Sequence, residues 1–571
     1  MKKDTFRNVL ILALLAAIPF REGLLYGKIV GAGPDVISTL WGMWWFQQEG
    51  VNALFGKETH LVNFPQGAIG IVLSPVSAMI WSVLEPMVGI GRALALTNWV
   101  QIFGFAWGGM WFAGVCGVEK RWTVLAGIAI LSARFLVFST GEASVVAIVA
   151  LSLPIGFGQM LLAREKKSFS KHHLYVALCA IFLALENPYL APVLPLFQFL
   201  LFLYPKTTTN PTMSRKPWFF SCVISAFGIL SIAHAYGAAA NPNYPREVTG
   251  QMVRLFGRSW SVVDLPWARL KLWELVVPND VAWTTSTNNA ISATGGRYLG
   301  VVFTLLSTMI WHRKCRTPLF LVLWSVGCLS ILIAMGSEQQ QLALPFLFLN
   351  DIMDAIARPL TQPTRFLIVT ILAFSVCIAQ VISMIDAYVQ GRTFTDAVVE
   401  DQSIEQKVGG DVVVDILPTE NTIPTKVSWV AIGVSVLMVV DGFAFGGLGL
   451  RPPNTEIPFV ECDIPGEGAV LLWPEDGLNG ELGLSRLVQM QHGHPTPQMG
   501  IASWKTLGPS IMSTVKGAGF SLVNMGRNWD ERRLYELGFT YVLVGDGEPA
   551  PPNVRERLQP CGDFGLLEVQ R

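Results

Sequence analysis

Asp35 follows Pro34 and opens a stretch in which Ile37, Trp41, Trp44, Val51 and Phe55 recur at helical spacing. A carboxylate at the head of a helix can cap it, since Asp is among the preferred N-cap residues. It can also take the proton of an attacking hydroxyl as a general base. A cap fixes the side chain at the helix end, so the two roles are compatible and the sequence leaves both open.

Other residues have the chemistry to surround such a base. Glu142, after Ser139, Thr140 and Gly141, and Glu186, just before Asn187 and Pro188, are carboxylates beside apolar runs. With Asp35 they make three carboxylates, a set that could hold a divalent cation, Mg or Mn, against a phosphate leaving group. Arg358 and Arg365 lie in the segment 357–366 just before an apolar run, and guanidinium groups suit bidentate phosphate binding. Arg134, His234 and Asp441 fall near the ends of apolar runs, and His60 lies in the polar segment that contains Asp35. Each has a plainer reading: helix-end polarity for the glutamates, interfacial anchoring for Arg358 and Arg365, and end-of-span charges that snorkel to water.

Weaker signals carry less. His492 and His494 flank Gly493, but two ligands with no others at fixed spacing usually mean surface histidines. The glycine cluster at 293–297 follows no strand and makes no phosphate loop. Among the 8 cysteines no CxxC or Cys/His spacing suggests zinc.

The elements that must position these residues are membrane spans. Of 571 residues, 51% are hydrophobic and only 14% charged, against about 25% charged in soluble domains. Mean hydropathy is +0.46. Formal net charge is zero, so no global field draws in nucleic acid. Apolar segments at 6–20, 69–90, 93–117, 123–138, 143–162, 174–186, 188–203, 218–237, 298–311, 317–335, 366–385 and 428–446 predict an all-α polytopic membrane bundle over 1–446, with about eleven transmembrane helices. The first is read as an uncleaved span, because Arg21 and Glu22 follow it in place of a small-residue cleavage site.

Short basic loops at 119–121, 164–171, 206–216 and 312–316 predict the cytoplasmic side. The two apolar segments within 69–117 must then make one net crossing, and 69–90, holding Pro75, Glu85 and Pro86, is the partial one. Residues 21–68, 238–297, 336–365 and the tail 447–571 face outward, into the periplasm if the membrane is a bacterial inner membrane. The loop 386–427, with eight acidic and three basic residues, faces inward and reads as a mobile insert. The Trp-rich stretch after Asp35 predicts an amphipathic helix in the membrane interface, a theme that Trp260, Trp267 and Trp273 repeat. On this topology the candidate residues gather at the outer boundary, which favours chemistry there over transport through the midplane.

The tail reads as a C-terminal α/β domain. Residues 468–473 and 540–545 are buried strands, and 529–537 form a helix that Gly538 ends. Cys462 and Cys561 lie near its two ends, 99 positions apart. Both would face an oxidising compartment, and a disulfide is expected, worth about 4 kcal/mol in the chain-entropy model. Two unrelated thiols are the alternative.

Several of these stretches, in their order, resemble the GT-C superfamily of polytopic glycosyltransferases, in a bacterial branch. Asp35 with Leu40, Trp41, Trp44 and Trp45 resembles the first-loop acidic motif. Asn63-Phe64-Pro65-Gln66-Gly67 resembles the element shortly after it. Trp273 to Pro278 resembles the end of the large central outer loop. Arg358-Pro359 with Pro363-Thr364-Arg365-Phe366 resembles the stretch entering a late span. Met490 to Pro495, Gly500 to Ser503 and Leu537 to Val542 resemble the tail of bacterial members. The resemblance implies a polyprenyl-phosphate-linked sugar as donor and Asp35 as the base. Family members often pair two acidic residues in the first loop, and Asp35 has no acidic neighbour.

The first expectation is therefore an inverting glycosyltransferase among membrane lipids, with Asp35 as base, His60, Arg134, Arg358 and Arg365 binding substrate, and Glu142 and Glu186 holding a cation. The second is a non-catalytic scaffold of the same fold that docks an envelope protein through its tail, which the lone Asp35 favours. A flippase or transporter is the third, and the lack of midplane charges and of an inverted repeat argues against it.

Overall fold

The computed structural model describes residues 3–31, 34–54, 56–62, 66–70, 72, 74–136, 151–164, 166, 168–186, 190, 192–203, 215–239, 251–255, 258–262, 269–277, 298–312, 318–337, 343–356, 363–390, 428–449, 454–466, 468–473, 484–496, 505–506, 530–545 and 552–570. The order begins α1 (Lys3–Ala17), α2 (Arg21–Tyr26), β1 (Ile29–Val30), α3 (Pro34–Glu49), β2 (Lys57–Thr59), β3 (Ala68–Gly70), α4 (Pro75–Val88), α5 (Ile90–Val115) and α6 (Thr123–Ser132). It continues through α7 (Ser152–Arg164), α8 (Lys171–Glu186), α9 (Val193–Leu203), α10 (Arg215–Ala239), β4 (Gln251–Leu255), β5 (Arg258–Val262), α11 (Val301–Thr308), α12 (Pro318–Ala334), α13 (Leu344–Ile356), α14 (Leu367–Val389) and α15 (Trp429–Ala444). The tail holds β6 (Asn454–Thr455), β7 (Ala469–Trp473), α16 (Leu484–His492), β8 (Lys505–Thr506), α17 (Glu531–Glu536), β9 (Phe539–Gly545), β10 (Gln559–Cys561) and β11 (Phe564–Glu568).

The chain is mostly helical up to α15, with α14 at the centre. Every residue from Leu367 to Met384 on α14 carries an apolar, Ser, Thr or Gln side chain without charge, and all of them are buried. Small residues let its neighbours close up. Gly104 and Gly108 of α5 face Leu151 and Pro154 at the start of α7, and a Cβ on Gly108 would meet the Pro154 ring at 2.7 Å, the close approach that small residues permit between helices. Two helical stretches among the described residues, Thr5–Tyr26 and Pro363–Val389, are long and apolar enough to cross a membrane, and several others are apolar but shorter. The outward faces are apolar too: Trp429 is 85% exposed and Phe227 73% exposed.

Hydrogen bonds sort the helix ends into two levels. At one level Asp386, near the end of α14, meets Arg121 and Trp122 just before α6, and Ser428 just before α15. At the other, Gly447 N donates to Ser132 O at 2.9 Å, Arg134 N to Tyr298 O at 3.2 Å, and the Tyr298 hydroxyl to Asp441 Oδ1 at 2.7 Å. So α6 and α15 finish where α11 begins. α5 ends beside the Arg121 level, which puts its first residues at the opposite end. There Gly91 lies against the Gly27 carbonyl, an approach that any Cβ would block.

The tail sits at that same end. β1 pairs with β6, and β8 joins the β2–β3 hairpin. The tail's own sheet runs β10-β11-β9-β7, antiparallel except for the parallel β7–β9 pair. Gly538, at φ +92°, ends α17 and turns the chain into β9.

Two expectations change. α3 is not an interfacial amphipathic helix: every residue from Val36 to Trp45 except Gly42 is named among the buried side chains, and Gly42 is buried as well. The helix is apolar nearly all round because α4 covers one side and the tail another, whereas Val51 beyond its end is 66% exposed. Trp260 does not lie on an interfacial helix either. It sits in β5 of a β4–β5 hairpin, opposite Val253.

Candidate first-loop site

Asp35 occupies the second position of α3, at the level of the tail. Its side chain, like that of Glu186, lies outside the described residues, and so do Glu142 and Arg358 entirely. Glu186 is the last residue of α8. α7 runs parallel to α5 along the Gly104–Leu151 and Gly158–Trp111 contacts, and α8 returns beside it, so α8 runs toward the end that holds Asp35. Of Asp35, Glu142, Glu186 and Arg365, therefore, Arg365 alone has a described side chain.

Arg134 is fully buried, beyond the end of α6 and joined through its backbone to Tyr298. It lies about 18 Å of helical path from Trp122. Burial overturns the snorkelling reading for this residue, since its guanidinium reaches no solvent. Arg365 is half-buried in the 3-10 turn Pro363–Phe366, whose other three side chains are buried. This turn leads into α14 at the end opposite Asp386, about 30 Å of helical path away. His60 is exposed, its Nε2 3.6 Å from Glu58 Oε1. Gly67, at φ +81°, leaves room beside it: a Cβ there would meet the Thr59 carbonyl at 2.7 Å and His60 Nδ1 at 2.8 Å.

The tail builds the other side of α3. Leu487 and Met490 of α16 join the core of Val36, Leu40, Trp41, Trp45 and Trp81, while Val488 packs into the tail sheet with Val470 and Phe564. Trp41 and Trp45 stack at 6.3 Å between centroids and 7° between planes. Gln489 is fully buried. Its Oε1 accepts from Trp41 Nε1 at 2.8 Å, and its Nε2 donates to Leu61 O at 2.6 Å and to His494 O at 3.0 Å. Arg486 donates to the Ser38 hydroxyl. Helical neighbours three apart therefore meet in register, 486 with 38 and 489 with 41. Of these four residues the sequence singled out Trp41 alone, by its helical spacing and by the first-loop motif it resembles; nothing in it pointed to Ser38, Arg486 or Gln489.

His492 and His494 are not a metal pair. His494 Nδ1 faces Gly468 O at 3.1 Å and its Nε2 faces Ile464 O at 2.9 Å, while His492 Nδ1 accepts from His494 N at 3.0 Å. Burial first, and neighbouring His494 second, lower the His492 pKa to about 3. The two rings hold the chain around β7. Among the described residues no group of three or more His, Cys, Asp or Glu could hold a metal ion. Cys462 and Cys561 are bonded, with Cα atoms 4.9 Å apart.

No family model matches the chain, and no curated protein matches it. Similar solved structures include the archaeal oligosaccharyltransferase AglB from Archaeoglobus fulgidus, in complex with an inhibitory peptide and a dolichol-phosphate, at 12% identity and TM-score 0.43 over 95% of this chain and 69% of that one. ArnT from Cupriavidus metallidurans bound to undecaprenyl phosphate is similar at 10% identity and TM-score 0.46, over 100% of this chain and 99% of that one. Arabinofuranosyltransferase AftD from Mycobacteria is similar at 13% identity and TM-score 0.48, over 99% of this chain but 42% of that one. At these values the likeness is one of general chain path and assigns neither donor nor acceptor.

Proposed function

We propose that the chain is a membrane glycosyltransferase that moves a sugar from a lipid-phosphate donor to an acceptor at the outer face of a bacterial inner membrane. The shorter apolar helices serve as further spans, and the tail, 447–571, is periplasmic. Asp35 takes the proton of the acceptor hydroxyl, the oxygen attacks the anomeric carbon, and the bond to the phosphate breaks with inversion. Arg365 and Arg134, with Arg358 and His60, receive the negative phosphate. The observation that supports this reading is that α3's first turn, beside the tail, and Arg365 both lie toward the end opposite Arg121–Asp386, with Arg134 fully buried part of the way between. The order of first-loop, late-span and tail motifs, which resembles the GT-C superfamily, supports it.

Glu142 and Glu186 are the carboxylates proposed for a divalent cation. Both side chains lie outside the described residues, and in this reading Arg365 and Arg134 take the phosphate charge. The test is transfer by the full chain in lipid nanodiscs, supplied with a panel of polyprenyl-phosphate sugars. Asp35→Asn should lower the rate at least about a hundredfold, the usual size of a general-base contribution, and leave binding of undecaprenyl phosphate intact. Undiminished transfer by Asp35→Asn removes Asp35 as the base. A scaffold docking an envelope protein is the alternative, and a variant with Asp35→Ala and Glu142→Ala together would keep a scaffold's function.

A further inference from the structure

We infer that Gln489 is a positioning residue through which the tail holds the first loop in its working geometry. The inference rests on the proposed role of Asp35, which α3 carries. A buried primary amide has two donors and an acceptor to satisfy, and Gln489 spends them across three segments: Trp41 on α3, Leu61 beside His60, and His494 in the tail. Leu61 O also accepts from Thr496 N at 3.0 Å, so the tail grips this carbonyl twice. The grip falls on both flanks of the loop. Trp41 is six residues beyond Asp35 on the same helix, and Leu61 directly follows His60.

The rest of α16 explains why this residue and not another does it. Val488 belongs to the sheet core, and Gln491 is held by Val460 N at 2.9 Å and by the Pro458 carbonyl. α16 is thus fixed to the tail on one face. Its other face presents Arg486 and Gln489, one turn apart, to Ser38 and Trp41, one turn apart on α3. Positions 35, 38 and 41 succeed one another at three-residue spacing, so fixing 38 and 41 sets the axial position of the turn that carries Asp35. Because the tail meets α3 through buried polar bonds as well as apolar contact, it fixes rotation and register, which apolar packing alone specifies weakly.

The experiment uses the full chain in nanodiscs. Gln489→Met keeps the length and removes all three bonds. Hydrogen exchange should rise at least about tenfold in 34–49 and in 57–62 and stay unchanged in β9 and β11. The exciton circular-dichroism signal of the stacked Trp41–Trp45 pair should fall with it. Val488→Ala, one position away but in the sheet core, should do the reverse. It should loosen β7 and β9 and leave the Trp pair signal alone, so a merely structural role for α16 is distinguished. Trp41→Phe, which removes one N–H, should loosen 34–49 more than 57–62, and it serves should Gln489→Met fail to fold. First-loop exchange within about twofold of the parent in these variants overturns the inference. So does an equal rise in the sheet. A loosened loop with unchanged transfer supports the clamp and instead removes the proposed role of the first loop in glycosyl transfer.

Discussion

Arg121 Nη2 lies 2.5 Å from Asp386 Oδ2, on a carboxylate with no solvent exposure. Trp122 Nε1 donates to the same oxygen at 3.3 Å, and Gln390 Nε2 and Ser428 N each donate to Oδ1 at 2.8 Å. One side chain thus gathers the α5–α6 turn, the end of α14 and the start of α15. Removing one partner of a buried pair leaves a charge without its counter-charge, at a cost of about 3 kcal/mol or more. Arg121→Met should lower the melting point in detergent accordingly. Asp386→Asn, whose amide oxygen still accepts from Gln390 and Ser428, should cost less.

The Cys462–Cys561 bond closes a long loop, and opening it should destabilise the tail by about 4 kcal/mol in the chain-entropy model. Non-reducing peptide mapping should recover the two peptides joined. Reduction, or Cys561→Ser, should raise hydrogen exchange in β10 and β11 with little change in α14.

His492 titrates at about 3 in the folded tail and at about 6.5 when unfolded. The unfolded ring therefore takes up a proton that the folded ring refuses. Its contribution is fully present above about pH 6.5 and is lost as pH falls toward 3, a loss of about 2 kcal/mol by pH 5. His492→Gln should flatten the stability of the tail between pH 8 and pH 5, read by thermal unfolding at each pH.

Arg365→Gln should weaken binding of undecaprenyl phosphate by about tenfold to a hundredfold, the range for losing a hydrogen bond to a charged group. Binding titrations in nanodiscs check this. Unchanged affinity would move the phosphate away from the turn before α14.

Where neighbours in sequence make the structure, the residues announce it. The apolar runs at 469–473 and 539–545 become β7 and β9, and Gly538 turns the chain between helix and strand. The break after Glu186 separates α8 from α9. Two tail cysteines in an otherwise apolar-cysteine chain are enough to expect a pair. What sequence does not carry is the second face of α3. A stripe of Ile37, Trp41 and Trp44 looks like one buried side facing one solvent, but Val36, Leu40 and Met43 are buried as well, because segments from α4 and from the tail cover them. Gln489 pairs with a residue 448 positions away, and one of two Gln in a short helix gives no sign of it. The site is legible only as a set of residue types. Their placement along the bundle emerges only from helix directions, which depend on contacts such as Asp386 with Ser428.

Asp386 holds Gln390 and Ser428 through a single oxygen. The residues on either side of 391–427 therefore meet at one doorway the width of a carboxylate. Any segment whose own ends lie about that close together would leave the Asp386 contacts in place. The same doorway suits grafting: a fluorescent protein or an epitope whose own termini are close together could replace the segment. It would report where that end of the molecule faces without disturbing the first loop at the other.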